Sequence, residues 1–222
     1  MEHGDGYLPV HGAVLHCWRT PPRADAPVLL HFHGNGEVVR DYLGDWAPAC
    51  VAAGFDVVLA EYRGYGGSTG RPTLRALLDD ALAVADAIGG RPYVYGRSVG
   101  SLPAAHVAAH RDVAGLILES GIADLGQRLK RYAGDAYDPT ALERVAAEAF
   151  DQQAKLAAHN GPTLVLHTTH DHLVAVDHAH RLARWSGGRL VLFPTGDHNT
   201  IHAFNHRAIL DGLRRLAGLG KG

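Results

Sequence analysis

Ser98 is the residue whose setting first suggests chemistry. It sits in Gly96-Arg97-Ser98-Val99-Gly100, between the β-prone run Tyr93-Val94-Tyr95 and an alanine-rich helical pattern reaching His110. A strand that turns straight into a helix crowds its own backbone. Glycines at 96 and 100 remove the side chains that would clash, and the serine hydroxyl is forced outward at the top of the strand, beside a helix N-terminus. A serine hydroxyl is a poor nucleophile near neutral pH. It needs a base within hydrogen-bond reach and a carboxylate to orient that base. Two later strand-like runs end in loops that carry such groups. Thr163 to His167 leads into Thr168-Thr169-His170-Asp171-His172, and Arg189 to Phe193 leads into Pro194-Thr195-Gly196-Asp197-His198-Asn199. The order serine, acid, histidine selects Asp171 and His198, and the chemistry would be acyl transfer.

Other groups compete for these roles. Asp177 is placed to begin a helix and reads as its N-cap. Asp197 adjoins the base, so its side chain should point another way. His202 and His206 fall on or near the last helix and read as packing or surface residues. Acyl transfer also needs donors aimed at the developing oxyanion. The backbone N–H of Val99 is one. The second is expected from His33-Gly34-Asn35-Gly36, where the N–H of Asn35 is best placed. Tyr62 and Tyr65 lie in a glycine-rich loop and have two readings: the wall of an acyl or alcohol pocket, or part of a tight crossover held by Arg63. Arg97 reads as a structural ion-pair partner. Five of the 16 histidines fall between His167 and His180, but no H-E-x-x-H motif or Cys/His quartet accompanies them, so no metal is assigned.

These groups need a frame. Residues 10 to 18 partly alternate and suggest an edge strand. Val28 to Phe32 and Phe55 to Ala60 are nearly continuous apolar runs, as in strands covered on both faces. A helix is expected over Asp41 to Ala53 with Gly54 at C′. Thr73 should cap a helix running to Ile88, with Asp79 and Asp80 on its wet face. A helical pattern covers Ser98 to His110, and Gly115 to Leu118 is a short buried strand. Residues 121–158 contain no strand-like run and read as two or three short helices forming a small cover, one of them opened by Asp138-Pro139. Asp177 to Trp185 and Ala203 to Leu216 are helical in pattern. Strands alternating with helices imply βαβ units and a mostly parallel sheet with helices on both faces. In such sheets ligands bind beyond the carboxyl ends of the strands, where each of the groups above falls.

The chain has 222 residues and 46% hydrophobic residues, enough for one domain over residues 1–222 with a sizeable core. Its 21 basic and 23 acidic residues give a net charge of −2, and no basic run is present, which argues against a nucleic-acid partner. Cys17 and Cys50 read as buried thiols, favouring a reducing, cytoplasmic setting. No apolar run is long enough to span a bilayer, and residues 1–5 lack a signal-peptide core, so no membrane partner is expected. Gly218 to Gly222 reads as a frayed tail. A monomer or a homodimer would each suit this composition.

Together these residues resemble the α/β-hydrolase superfamily, over Val28 to about Leu216. In particular the chain is similar to the small, cap-poor Bem46-like and ABHD12/13/17-like serine hydrolases. His33-Gly34-Asn35, the loop Tyr62-Arg63-Gly64-Tyr65-Gly66-Gly67-Ser68-Thr69-Gly70 and the Gly96–Gly100 turn carry the likeness. Glu61 stands where that family usually has Asp, and His170 where a glycine usually precedes the acid. The resemblance implies an α/β-hydrolase fold and a Ser98–Asp171–His198 triad. It does not single out a substrate, since the superfamily holds esterases, thioesterases, peptidases, lipases and dehalogenases. The membrane-attached members carry an N-terminal anchor helix or a palmitoylated cysteine-rich segment, and neither pattern is expected here. Serine as nucleophile argues against a dehalogenase or epoxide hydrolase; a small-molecule ester is the expected substrate, and no bound cofactor is implied. A thioesterase, peptidase or amidase would share the triad, and a non-catalytic binding protein of the same fold is the remaining alternative. A small cover implies an open site suited to short or medium acyl chains.

Overall fold

A computed structural model of the chain describes residues 3–133 and 149–220, together with 138, 140, 144 and 147. Eight strands form one sheet: β1 (Gly4–Val10), β2 (Ala13–Arg19), β3 (Val28–Phe32), β4 (Asp56–Ala60), β5 (Tyr93–Arg97), β6 (Gly115–Glu119), β7 (Thr163–Thr168) and β8 (Arg189–Phe193). Their order across the sheet is β1-β2-β4-β3-β5-β6-β7-β8. The β1–β2 and β2–β4 pairings are antiparallel and every other pairing is parallel. The described helices are α1 (Trp46–Ala52), α2 (Leu74–Ile88), α3 (Ser101–His110), α4 (Leu125–Ala133), α5 (Gln152–Ala158), α6 (Val176–Ser186) and α7 (Ile201–Leu216).

Alternation along the strands divides the core into two layers. Leu30, Val58, Val94, Leu116 and Val165 pack against α2, α3, α5 and α6. Their neighbours Leu29, Val57, Tyr95, Ile117 and Leu164 pack against α1 and α7 on the opposite face. A smaller cluster of Leu78, Leu102, Ile122, Leu125, Phe150 and Val174 seats the cover on the body. Cys17 and Cys50 are free buried thiols, one in each main layer. Among the described residues no helix is long and apolar enough to cross a membrane.

Several expectations hold and several need correction. Thr73 Oγ1 accepts from Ala76 N at 3.1 Å and caps α2. Asp79 is exposed, but Asp80 is buried: Arg63 reaches it from 17 residues away, so the predicted wet face is half wrong. The run from 10 to 18 is not an edge strand. Gly4–Val10 forms a hairpin with it and takes the edge, leaving β2 between β1 and β4. The helix expected over Asp41–Ala53 is broken into a 3₁₀ turn (Val39–Tyr42) and α1, with Gly44 between them. Residues Ser98–Gly100 likewise form a 3₁₀ turn before α3 begins. Ala175, not Asp177, is the N-cap of α6, and Asp177 lies in its first turn. The tail is docked through Gly220: Leu219 N donates to Arg214 O at 2.9 Å, and its side chain lies against Gly54. Of the pair expected to open a cover helix, Pro139 lies outside the described residues, while Asp138 accepts from Thr140 N at 2.9 Å.

Candidate active site

The carboxyl ends of β3, β5, β7 and β8 bring the predicted groups together. Ser98 Oγ donates to His198 Nε2 at 2.9 Å. His198 Nδ1 donates to Asp171 Oδ2 at 2.7 Å. The other carboxylate oxygen, Oδ1, accepts from Leu173 N at 2.9 Å and Val174 N at 2.7 Å, which fixes the acid from behind. Burial alone would raise the Asp171 carboxyl. The His198 hydrogen bond, the Val174 amide and the neighbouring imidazoles outweigh it, and the group is held below its ordinary value. Asp171 and His198 are buried, and Ser98 is half-buried in the wall of an open cavity. Asp197 turns away, as expected: its Oδ1 accepts from Asn199 N, Thr200 N and Thr200 Oγ1 and closes the turn into α7.

Ser98 has φ of 52°, a left-handed backbone that a side chain resists. The two glycines around it are sterically required. A Cβ on Gly96 would lie 2.4 Å from Gly100 O, and one on Gly100 would lie 2.2 Å from Phe32 O. Behind the turn, Ser101 Oγ donates to Ser98 O at 2.6 Å and accepts from Ile122 N at 2.9 Å.

The loop after β3 is held from several sides. His33 Nε2 donates to Glu61 Oε1 at 2.7 Å, and Glu61 Oε2 accepts from Val39 N at 2.9 Å. Tyr62 hydroxyl donates to His33 O at 2.6 Å, and Tyr65 hydroxyl donates to Asn35 Oδ1 at 2.9 Å. Glu37 Oε2 accepts from Gly34 N and from the Tyr42 hydroxyl, both at 2.5 Å. Arg63 forms a bidentate pair with Asp80, at 2.7 and 2.6 Å, in agreement with the crossover reading of its loop.

A buried polar network underlies the site: Arg97 is the ion-pair partner expected, whereas local patterning does not reveal Glu37, Glu119 and His202 as its other members. Arg97 Nε donates to Glu37 Oε1 and Nη1 to Glu119 Oε1, both at 2.9 Å, and Nη2 donates to His198 O at 3.0 Å. Glu119 Oε2 accepts from His202 Nε2 at 2.5 Å and from the Tyr95 hydroxyl. Burial opposes the charge on Glu119, but His202, Arg97 and Tyr95 hold its carboxyl well below the ordinary range. The available signal was an acidic residue ending the wholly buried run Gly115–Glu119. His202, expected to pack, does so against Trp46 while bonding Glu119.

Ser98, His198, Asn35 and Val99 line one cavity of about 450 Å³, with Leu74, Ile122 and Leu173 among its apolar walls. Tyr62 and Tyr65 do not line it. They form a second hollow of about 250 Å³ that shares Asn35, Leu74 and Val99 with the first. The histidines of 167–180 are dispersed. His167 donates to Val174 O, His178 accepts from Ala123 N, and His170, His172 and His180 are exposed. Among the described residues no three His, Cys, Asp or Glu side chains converge on a metal position.

Comparison with known proteins agrees with this architecture. The family defined by the alpha/beta hydrolase fold matches residues 27–150. Human alpha/beta hydrolase domain-containing protein 17B is 30% identical over 161 residues, covering 68% of this chain and 52% of that protein. The chain spans little more than half the length of the curated relatives it matches, 52% and 59% for those of human and Mycobacterium tuberculosis. Among solved structures, a hydrolase from Pseudomonas aeruginosa superimposes with a TM-score of 0.75 at 22% identity, covering 96% of this chain and 98% of its own. The enol-lactonase from Burkholderia xenovorans gives 0.73 at 20% identity, covering 96% of this chain and 100% of its own. These two share the fold. The match over residues 27–150 and the relationship to protein 17B make this chain an ABHD17-like member of the α/β-hydrolase family.

Proposed function

We propose that the protein is a serine hydrolase that cleaves carboxylic esters through an acyl-enzyme on Ser98. The observation that carries this reading is the unbroken hydrogen-bonded series from Ser98 Oγ through His198 to Asp171. His198 Nε2 takes the proton as Ser98 Oγ bonds to the ester carbonyl carbon. The C=O electron pair moves to the oxygen, where the N–H groups of Asn35 and Val99 stabilise it. Collapse re-forms the carbonyl and breaks the bond to the alcohol, whose oxygen receives the proton from His198. Water then attacks the acyl-serine through the same base, releasing the carboxylic acid and restoring the Ser98 hydroxyl. Asp171 keeps Nδ1 protonated and stabilises the imidazolium in both halves. The strained backbone at Ser98 supports the same reading, because such strain persists where surrounding structure requires it.

The test is hydrolysis of p-nitrophenyl acetate and butyrate by wild type and Ser98→Ala. Loss of the nucleophile is expected to lower kcat by roughly 10³-fold or more. Equal rates for the two proteins would contradict the proposal.

A further inference from the structure

We infer that the acyl chain of the ester occupies the hollow lined by Tyr62, Tyr65, Pro72, Leu74, Leu77 and Val99, and that this hollow selects short, uncharged acyl groups. The inference rests on the acyl-enzyme at Ser98. His198 must act as acid as well as base, so the leaving oxygen has to come within hydrogen-bond reach of its Nε2. The alcohol therefore lies beside His198, Leu173 and Asn199, all in the wall of the Ser98 cavity. The acyl substituent departs from the same carbon away from that oxygen. The second hollow shares Asn35, Leu74 and Val99 with the Ser98 cavity and has none of His198, Leu173 or Asn199 in its wall. It adjoins the Ser98 cavity at Asn35, Leu74 and Val99 and has no part of the His198 wall, and there the acyl chain is placed.

The wall chemistry fits a neutral tail. The Tyr62 and Tyr65 rings meet edge to face at 5.8 Å. Both hydroxyls are already donating, to His33 O and Asn35 Oδ1, so the rings supply apolar surface. Arg63 and Asp80 are the charged residues in the wall, and their bidentate pairing leaves no ionic partner for a carboxylate or amine on the tail. The volume of about 250 Å³ falls below the roughly 300–1,000 Å³ of drug-sized ligand sites, so its walls cover a short chain and a long one would run out into solvent. The Tyr65–Asn35 hydrogen bond ties this wall to the loop carrying an oxyanion donor, so filling the hollow and stabilising the transition state use one piece of structure.

Two substrate series separate the acyl side from the alcohol side. p-Nitrophenyl acetate, butyrate, hexanoate, octanoate and dodecanoate vary the acyl chain, and methyl to octyl acetates vary the alcohol, followed by proton release. The full chain is assayed as wild type, Ser98→Ala, Leu77→Trp, Leu77→Ala and Leu173→Trp. Wild type is expected to prefer butyrate to octanoate, with kcat/KM for dodecanoate lower by roughly tenfold or more. Leu77→Trp should cut the hexanoate-to-acetate ratio of kcat/KM by a similar factor, and Leu77→Ala should shift the optimum to longer acyl chains. Neither should change the alcohol profile, which Leu173→Trp should alter instead. If the tryptophan variant does not fold, the alanine variant reads the same pocket in the opposite direction. An unchanged acyl profile in a folded Leu77 variant whose activity depends on Ser98, or a shift of the alcohol profile, overturns the assignment. A wild-type preference for dodecanoate overturns the size limit. Turnover of no ester, or turnover surviving Ser98→Ala, overturns the acyl-enzyme itself and the subsite with it.

Discussion

Arg97 Nη2 donates to the backbone carbonyl oxygen of His198 at 3.0 Å. The residue before Ser98 thus holds the loop of His198, and through Glu37 it also holds the loop expected to supply an oxyanion donor. Three segments far apart in the chain meet on one guanidinium.

Arg97→Met should therefore be strongly destabilising. Glu119 is wholly buried and would lose its cationic partner at Arg97. Breaking a buried pair by removing one partner costs about 3–5 kcal/mol. Urea unfolding followed by far-UV circular dichroism measures this, and Arg97→Lys should fall between wild type and Arg97→Met because it keeps the charge without the fork. An unchanged midpoint for Arg97→Met would show that the network is dispensable.

The turn at Ser98 makes two opposite predictions about small side chains. Gly100→Ala places a Cβ 2.2 Å from Phe32 O, so β3 or the turn must move, and both stability and activity should fall sharply. Ser98→Gly relaxes a φ of 52° that disfavours a Cβ, and should be more stable than Ser98→Ala by roughly 1 kcal/mol. Thermal unfolding of the three variants checks both.

Asp171 is held below its ordinary value of 3.8 in the folded protein, so it binds fewer protons folded than unfolded. Its contribution to stability is fully present above the unfolded value and is lost as pH falls through the lower, folded value. The stability gap between wild type and Asp171→Asn should be fully present above the ordinary carboxylate value of 3.8 and shrink as pH falls below it. The same variant should lose roughly 10⁴-fold in kcat at neutral pH, since an amide does not stabilise the imidazolium. Urea midpoints across pH and initial rates on p-nitrophenyl butyrate test the two effects separately.

What was legible in the sequence follows from how local the signals are. Val28–Phe32 and Arg189–Phe193 appear in the structure with the bounds expected of them. Ser98, Asp171 and His198 were accessible because each follows such a run at its carboxyl end. Gly4–Val10 was missed because it is half-exposed along its length and carries Gly4, Gly6 and Pro9, residues poor in strand propensity. Asp80 looked solvent-facing because its partner, Arg63, lies in a loop and leaves no mark on helical periodicity. Arg97 was legible as an ion-pair partner, but its partners Glu37 and Glu119, and His202 beyond them, were not, because they lie on separate segments that only the fold brings together. The division of the site into two hollows depends on side-chain packing around Leu74 and Val99, which spacing does not encode.

The most direct measurement is the site and rate of labelling by a fluorophosphonate, which forms a stable phosphonyl ester with an activated serine. Intact-mass analysis and tryptic mapping are run on wild type, Ser98→Ala and His198→Ala. The expected result is one adduct per chain, on Ser98, absent from Ser98→Ala and formed on the order of 10³-fold more slowly in His198→Ala. An adduct on another residue, or wild-type labelling in Ser98→Ala, would contradict Ser98 as the nucleophile.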